Sequence, residues 1–305
     1  MDFEDAVERF TEYLEFVRNL SQNTVSSYTR DLNHYSKYLQ EHSLDYRQVK
    51  RRDIERFMKE LSQGYYSASR LSPSSVARHL STLKTFYMFL YVSGTVNKIP
   101  TDLVKAPKTR RRIPEYISYE EIQRILNAFP ETHLGKRNRA IIALMYYCGL
   151  RVSEVCSLTL RDISLESDPL VRVKSGKGDK DRIVPLTPDA ISMLTDYLGY
   201  RDKFPEANRH SRLFLGIHGE PLSRKSVNKM LQNHVKKIFP DKHFHPHIFR
   251  HSCATHLLQR GASIKIVQEI LGHANISTTS IYLHITDKEK REAVKLLSNG
   301  KNNDT

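Results

Sequence analysis

The stretch "KAPKTRRRIPEY", residues 105–116, limits the fold more than any other. Pro107 and Pro114 bracket Lys108, Arg110, Arg111 and Arg112. Proline fixes φ and removes a backbone donor, and a dense run of like charge resists packing, so no helix or strand runs through this segment. It divides the chain into a first domain at 1–106, a basic linker at 107–115, a second domain at 116–286 and a tail at 287–305. The length of 305 residues agrees, since a single core rarely grows beyond about 250–300 residues. Two readings of the linker stay open: a solvated hinge, or a strap lying along phosphates, where each neutralising Lys or Arg releases counterions.

The first domain reads as a helical bundle. Val7, Phe10, Leu14 and Val17 repeat at helical spacing, and Val25, Tyr28, Leu32, Tyr35 and Leu39 form a second stripe after Ser21. "DIERFMKEL" supplies a third helix. "LSPSSVARHLSTLKTFYMFLYVSG" supplies a fourth, with Ser72 as N-cap, Pro73 at the first helical position and Gly94 past the end. Nothing in this domain looks catalytic.

The second domain begins with helices. Ser118 and Glu121 make a capping-box pattern, and "KRNRAIIALMYYCG" stops at Gly149. Between 170 and 186 the period changes: "LVRVK" and "RIVPL" flank the polar, Gly-rich "SGKGDKD", which reads as a β-hairpin. Helices return from about 188. The expected fold is mainly α: an N-terminal helical bundle, then a mostly helical domain with a small antiparallel sheet.

Charge points to the partner. The formal net charge is +14. Residues 1–108 hold 16 Lys or Arg against 13 Asp or Glu and the remainder holds 32 against 21, so most of the excess lies in the second part. Such a balance favours a polyanion, most often nucleic acid. The acidic, amphipathic "MDFEDAVERF" lacks the basic and apolar regions of a signal peptide, and no apolar run approaches the ~20 residues that span a bilayer. Cys148, Cys156 and Cys253 are few, odd in number and set in apolar helical contexts, which fits core thiols in a reducing compartment, the cytoplasm.

"HFHPHIFRH", residues 243–251, gathers His243, His245, His247, His251 and Arg250. The histidine spacing suits zinc, but Pro246 interrupts the geometry, Arg250 puts a fixed cation beside a dication, and no cysteine pair or nearby carboxylate completes a ligand set. No metal and no cofactor is expected. A guanidinium among imidazoles instead suits an anion, and the arginine fork matches phosphate oxygens.

Taken with "GLRVSE" (149–154) and "SGKGDKDRIVPL" (175–186), the run "HIFRHSCATHLLQRGASIKIVQEILGHANISTTSIY" (247–282) resembles the tyrosine site-specific recombinases, the integrase family, in order and spacing. The wording is closest to the Xer branch. The resemblance extends to the first domain, where "TVSSYTRDLNHY" (24–35) looks like that branch's SAM-like core-binding domain. It implies a catalytic set of Arg151, Lys177, His247, Arg250, His273 and Tyr282. The two arginines would hold non-bridging oxygens of the scissile phosphate, and Lys177 would protonate the leaving 5′-oxygen. His247 and His273 would flank the phosphate, and Tyr282 would be the nucleophile, giving a 3′-phosphotyrosyl DNA intermediate.

A free phenol has a pKa near 10, so Tyr282 needs a base or a strong positive field, and His247 is the natural acceptor. Glu154, three residues after Arg151, is expected to orient an arginine of the pocket. Lys180 and Arg182 on the hairpin, with Lys108, Arg110, Arg111 and Arg112 of the linker, are candidate DNA contacts.

The resemblance further implies metal- and ATP-independent strand exchange on a double-stranded recombination site. It implies a dimer on each site, a tetramer in the synapse, and resolution of chromosome or plasmid dimers, with an activating protein partner left open. Ala293, Val294 and Leu297 form a short apolar stripe in the tail, expected to dock on a neighbouring protomer. Three rivals remain: a mobile-element or phage integrase, a type IB topoisomerase-like enzyme, and a catalytically silent DNA-binding regulator.

Overall fold

A computed structural model describes residues 1–67, 69–107, 116–174, 181–242, 244–272 and 287–297, the side chains of 287–289 excepted. The chain forms two units, Met1–Arg112 and Ile113–Thr305.

In the first unit each helix starts where a side chain can satisfy its orphan N–H groups. Asp2 caps α1 (Phe3–Glu12), which continues through one π turn at Tyr13–Val17. Ser21 caps α2 (Gln22–Glu41), Asp53 accepts from the Lys50 N–H at the start of α3 (Arg51–Gln63), and Ser72 caps α4 (Pro73–Val92). The core is aromatic. Phe10, Tyr35, Tyr38, Phe57, Phe86 and Tyr87 are fully buried, and their polar tips find partners. Tyr35 and Tyr87 hydroxyls lie 2.7 Å apart, Tyr87 donates to the Tyr46 carbonyl at 3.0 Å and Tyr38 to that of Asp53 at 2.8 Å. A buried hydroxyl without a partner would cost more than its bond contributes, which is why these tyrosines come paired.

A buried imidazole in this unit makes its stability depend on pH. His79 Nδ1 faces the Ser75 carbonyl at 2.9 Å, so that nitrogen carries a proton. Its Nε2 lies 3.0 Å from His34 Nδ1 and 3.1 Å from Asp31 Oδ1. Burial holds both imidazoles below their ordinary pKa, with Arg78 opposing protonation and Asp31 favouring it. Burial thus disfavours the charged form of both rings. Below the unfolded value of about 6.5 the unfolded chain binds more protons, so this stability is complete above that pH and is lost as pH falls toward the folded values. Calorimetry should show the first unit melting several degrees lower at pH 5 than at pH 7, and His34→Gln should reduce the difference. Equal melting temperatures would refute it.

The second unit is built around a helix buried on nearly every side. Ser118 closes a capping box on α5 (Tyr119–Asn127), and α6 (His133–Tyr147) carries the buried run Ala140–Tyr147. It packs on α8 (Pro188–Leu198) and α10 (Pro246–Gln259). Between them come α7 (Val152–Ser157) and a three-stranded antiparallel sheet of β1 (Ile163–Ser164), β2 (Leu170–Val173) and β3 (Arg182–Pro185). Helix α9 (Arg224–Ile238) precedes α10, and α11 (Ile264–Leu271) follows it. Cys148 and Cys253 are buried and Cys156 partly so, all as free thiols.

One outcome adds to the sequence reading. The two-residue strand β1, which sequence periodicity did not indicate, extends the hairpin to three strands. Helix α12 (Asp287–Lys295) packs against β3 and α11 of its own unit, where Ala293, Val294 and Leu297 are buried. The stripe is short, but the flank of the sheet and α11 together cover it. Residues 298–305 lie outside the described residues. Among the described residues no helix is long and apolar enough to cross a membrane.

Candidate active site

Three arginines from three different elements meet at the end of α11. Helix α6 ends at Tyr147, and Gly149 (φ +61°) turns the chain into α7. A Cβ there would stand 2.4 Å from Leu271 Cδ2, so glycine is needed both for the left-handed backbone and for the approach of α11. Arg151 is the N-cap of α7. Its backbone N–H donates to Glu154 Oε2 at 2.7 Å and its Nη1 to Glu154 Oε1 at 2.8 Å. Glu154, expected from the sequence to orient an arginine, thus engages Arg151 through both main chain and side chain.

Arg250 comes from α10, whose start is fixed by Pro246. It is 7% exposed, and its Nη1 and Nη2 donate to the carbonyls of Gly149 at 2.5 Å and Leu271 at 2.6 Å. Arg182 comes from β3. Its Nη1 and Nη2 grip Glu154 Oε1 and Oε2 at 2.9 and 2.8 Å, and its Nε donates to the Ile270 carbonyl at 2.8 Å. The expectation that Arg182 touches DNA is corrected by this arrangement. Its side chain is 7% exposed, and the fork is occupied by protein acceptors.

A row of acceptors gathers the three. The consecutive carbonyls of Ile270, Leu271 and Gly272 accept from Arg182, Arg250 and Arg151, the last at 3.3 Å. These are the last carbonyls of α11, the negative end of its dipole, and so a natural seat for cations. Gly272 closes the helix in the left-handed region (φ +66°), and a Cβ on it would come within 2.9 Å of Arg182 Cδ.

Among the described residues, Glu154 is the carboxylate that Arg151 and Arg182 share, and its charge also bears on Arg250. Burial, then the charge of Arg151, lowers the Arg250 pKa to about 10, still cationic at neutral pH. Burial opposes the Glu154 carboxylate, but the bonds and charges of Arg182 and Arg151 outweigh it and hold its pKa below the usual range. His247 sits in the first turn of α10, exposed to solvent. Desolvation of its ring and then the charges of His245, Arg250 and Arg151 hold its pKa below the ordinary imidazole value. At neutral pH the neutral imidazole is favoured, and the charges of Arg250 and Arg151 that bear on it suit an oxyanion.

The His245 and His247 rings have centroids 6.3 Å apart. Among the described residues no group of three His, Cys, Asp or Glu side chains is placed to hold a metal ion. Lys177, Lys180, His243, His273, Tyr282, Lys108, Arg110, Arg111 and Arg112 lie outside the described residues. What the sequence reading missed is the inward role of Arg182. Strand alternation carried the signal, because Val184 two positions on faces the core.

Comparisons with known proteins agree along most of the chain. A model of the phage integrase family matches residues 115–289, and one of the phage integrase N-terminal SAM-like domain matches residues 7–94. A tyrosine recombinase of Thermosipho africanus is 38% identical over 292 residues, covering 95% of this chain and 99% of that protein. The tyrosine recombinase XerD of Oceanobacillus iheyensis is 38% identical over 288 residues, covering 93% and 94%. Among solved structures, XerH recombinase bound to a palindromic difH substrate superposes with a TM-score of 0.71 at 22% identity, covering 96% of this chain and 84% of that one. The Tn1549 transposon integrase in complex with a circular intermediate DNA also gives 0.71, at 19% identity, covering 88% and 92%. The last two show the fold.

Proposed function

The chain belongs to the phage integrase family, the tyrosine recombinases, and from that premise we propose that it exchanges DNA strands at a specific site through a 3′-phosphotyrosyl intermediate. The observation that carries this reading is the convergence of Arg151 and Arg250 beside a neutral His247. Arg151 and Arg250 hold the non-bridging oxygens of one phosphodiester. The Tyr282 oxygen attacks phosphorus as its proton passes to His247, with His273 at the other side of the phosphate. The bond to the 5′-oxygen breaks, and that oxygen takes a proton from Lys177. Charge accumulates on the phosphate oxygens, where each preorganised cation contributes several kcal/mol. These cations take the part that metal ions play in many nucleases, and the phosphotyrosyl bond conserves the energy for resealing by a 5′-hydroxyl, so neither metal nor ATP is required.

The finer reading is an Xer-type enzyme acting in the cytoplasm on chromosome or plasmid dimers, two copies on each double-stranded site and four in the synapse. It is supported by relatives named XerD at 36–38% identity over nearly their full length. Fold likeness does not separate it from a mobile-element integrase, since both kinds of neighbour superpose equally well. The linker cations Lys108, Arg110, Arg111 and Arg112 and the hairpin Lys180 are proposed to lie on phosphates, which would make binding strongly salt-dependent.

A nicked duplex carrying a site selected from a random pool by the full-length chain tests the chemistry. Cleavage near the nick releases a short fragment and traps the protein on DNA. A covalent adduct is expected with the native chain and none with Tyr282→Phe. An adduct that persists in Tyr282→Phe reassigns the nucleophile. Binding without any adduct favours a silent regulator.

A further inference from the structure

We propose that Arg182 is a positioning residue for strand cleavage, acting through Glu154 and the end of α11 without touching DNA; this rests on the reading of the pocket as the cleavage site. The sheet register places it. Arg182 pairs with Val173 and Val184 with Val171, and all three valines are buried while Ile183 between them is exposed, so Arg182 belongs to the inner face.

Its partners explain what it does there. A carboxylate offers about four lone-pair sites. Glu154 fills them with Arg151 N, Arg151 Nη1, Arg182 Nη1 and Arg182 Nη2, two bonds to each oxygen. While Arg182 holds half of the carboxylate, Arg151 meets it through only one guanidinium nitrogen, and Arg151 Nη2 reaches the Gly272 carbonyl. Without Arg182, Glu154 has two sites to spare and closes on Arg151 as a bidentate pair, the geometry that arginine and carboxylate prefer. That would turn the Arg151 fork away from a phosphate. The same side chain holds the Ile270 carbonyl, first of the row that seats Arg250 and Arg151, and lies under the turn at Gly272 that leads into His273. One inward arginine therefore sets the position of both arginines proposed to hold the phosphate.

The test measures binding and cleavage separately, on the nicked duplex above, for full-length native chain, Arg182→Met, Arg182→Lys and the double variant Arg182→Met/Glu154→Gln. With protein saturating, Arg182→Met should form adduct about 10²-fold more slowly, the usual effect of a displacement of about 1 Å at a reacting centre. Its half-saturating concentration and the salt dependence of binding should stay within about twofold of native. The double variant should cleave no more slowly than Arg182→Met, because the misdirected carboxylate is gone; residues acting as a unit are not additive.

Arg182→Lys keeps a charge for Glu154 but not the fork, so it should fold and still cleave more slowly than native. It answers the question if Arg182→Met does not fold. Native cleavage rates in Arg182→Met and Arg182→Lys overturn the proposal. So does weaker binding with a salt slope shallower by about 1, the mark of a lost phosphate contact. A fall in cleavage that only tracks the folded fraction in a melting curve, or a double variant slower than Arg182→Met, overturns it too. A native chain that forms no adduct removes the premise itself; a native adduct with unimpaired variants removes this inference alone.

Discussion

Replacing Glu154 by alanine will destabilise the second unit by about 3–5 kcal/mol, the cost of stripping a buried charge of its partner. Glu154 is 7% exposed and is the acceptor shared by Arg151 and Arg182, and its charge also bears on Arg250. Its removal takes away the carboxylate that Arg151 and Arg182 share. For a unit of this size the loss corresponds to a fall in melting temperature of about 10 °C, read by calorimetry on the full chain. The sign with pH is defined. The Glu154 pKa is held below its ordinary value, so its contribution is complete above about pH 4.5 and fades as pH falls through the folded value. The gap between native and variant melting temperatures should accordingly be constant from pH 8 to 5 and narrow below. A gap under 2 °C at pH 7 would mean that water or neighbouring groups neutralise the cluster, contrary to the geometry.

Arg250→Lys will leave DNA affinity nearly intact and slow cleavage by about 10³-fold. Affinity is the sum of many phosphate contacts, of which this is one. Cleavage depends on donors aimed at one phosphate, and the loss of a single such donor costs about 10²–10³. Arg250 holds two carbonyls, those of Gly149 and Leu271, and still has further N–H groups to offer an anion. An ammonium cannot span both carbonyls and also present itself in the plane of a phosphate.

There is a second consequence. Burial and Arg151 bring Arg250 down to about 10, and the same influences act on a lysine, whose ordinary value starts lower than that of arginine. The residual cleavage of Arg250→Lys should therefore decline with rising pH before that of the native chain does. Single-turnover rates across a pH series decide it. A residual rate without that decline would mean that position 250 carries no charge relevant to the step.

Both expectations concern residues that were legible to different degrees. Arg151 and Arg250 stand out in "GLRVSE" and "HIFRH" because their neighbours identify them, although nothing in either stretch says that the two meet. Glu154 was legible from its offset of three from Arg151, which puts it one helical turn away. Arg182 was misread. An arginine near a polar turn reads as solvated or phosphate-bound, and only the register of β3 against β2 turns it inward. What covers the tail stripe within its own unit was hidden for a related reason. A stripe of three small apolar residues looks too narrow to bury, until β3 and α11 are seen to form the surface that covers it.

The sequence by itself determined the local and the additive: where helices begin and end, where the chain divides at its proline-bracketed basic run, the sign of its charge, and its family. Those properties depend on neighbours within a turn or two, or on sums over the chain. The tertiary structure decided what required distant segments to meet. Residues 149–154, 182, 250 and 270–272 come together because a left-handed turn at Gly149, an inward strand position and the carbonyl end of α11 share one point in space. The direction of a guanidinium is set by which acceptors lie within about 3 Å of it, and no local pattern encodes acceptors contributed from 21 to 121 residues away.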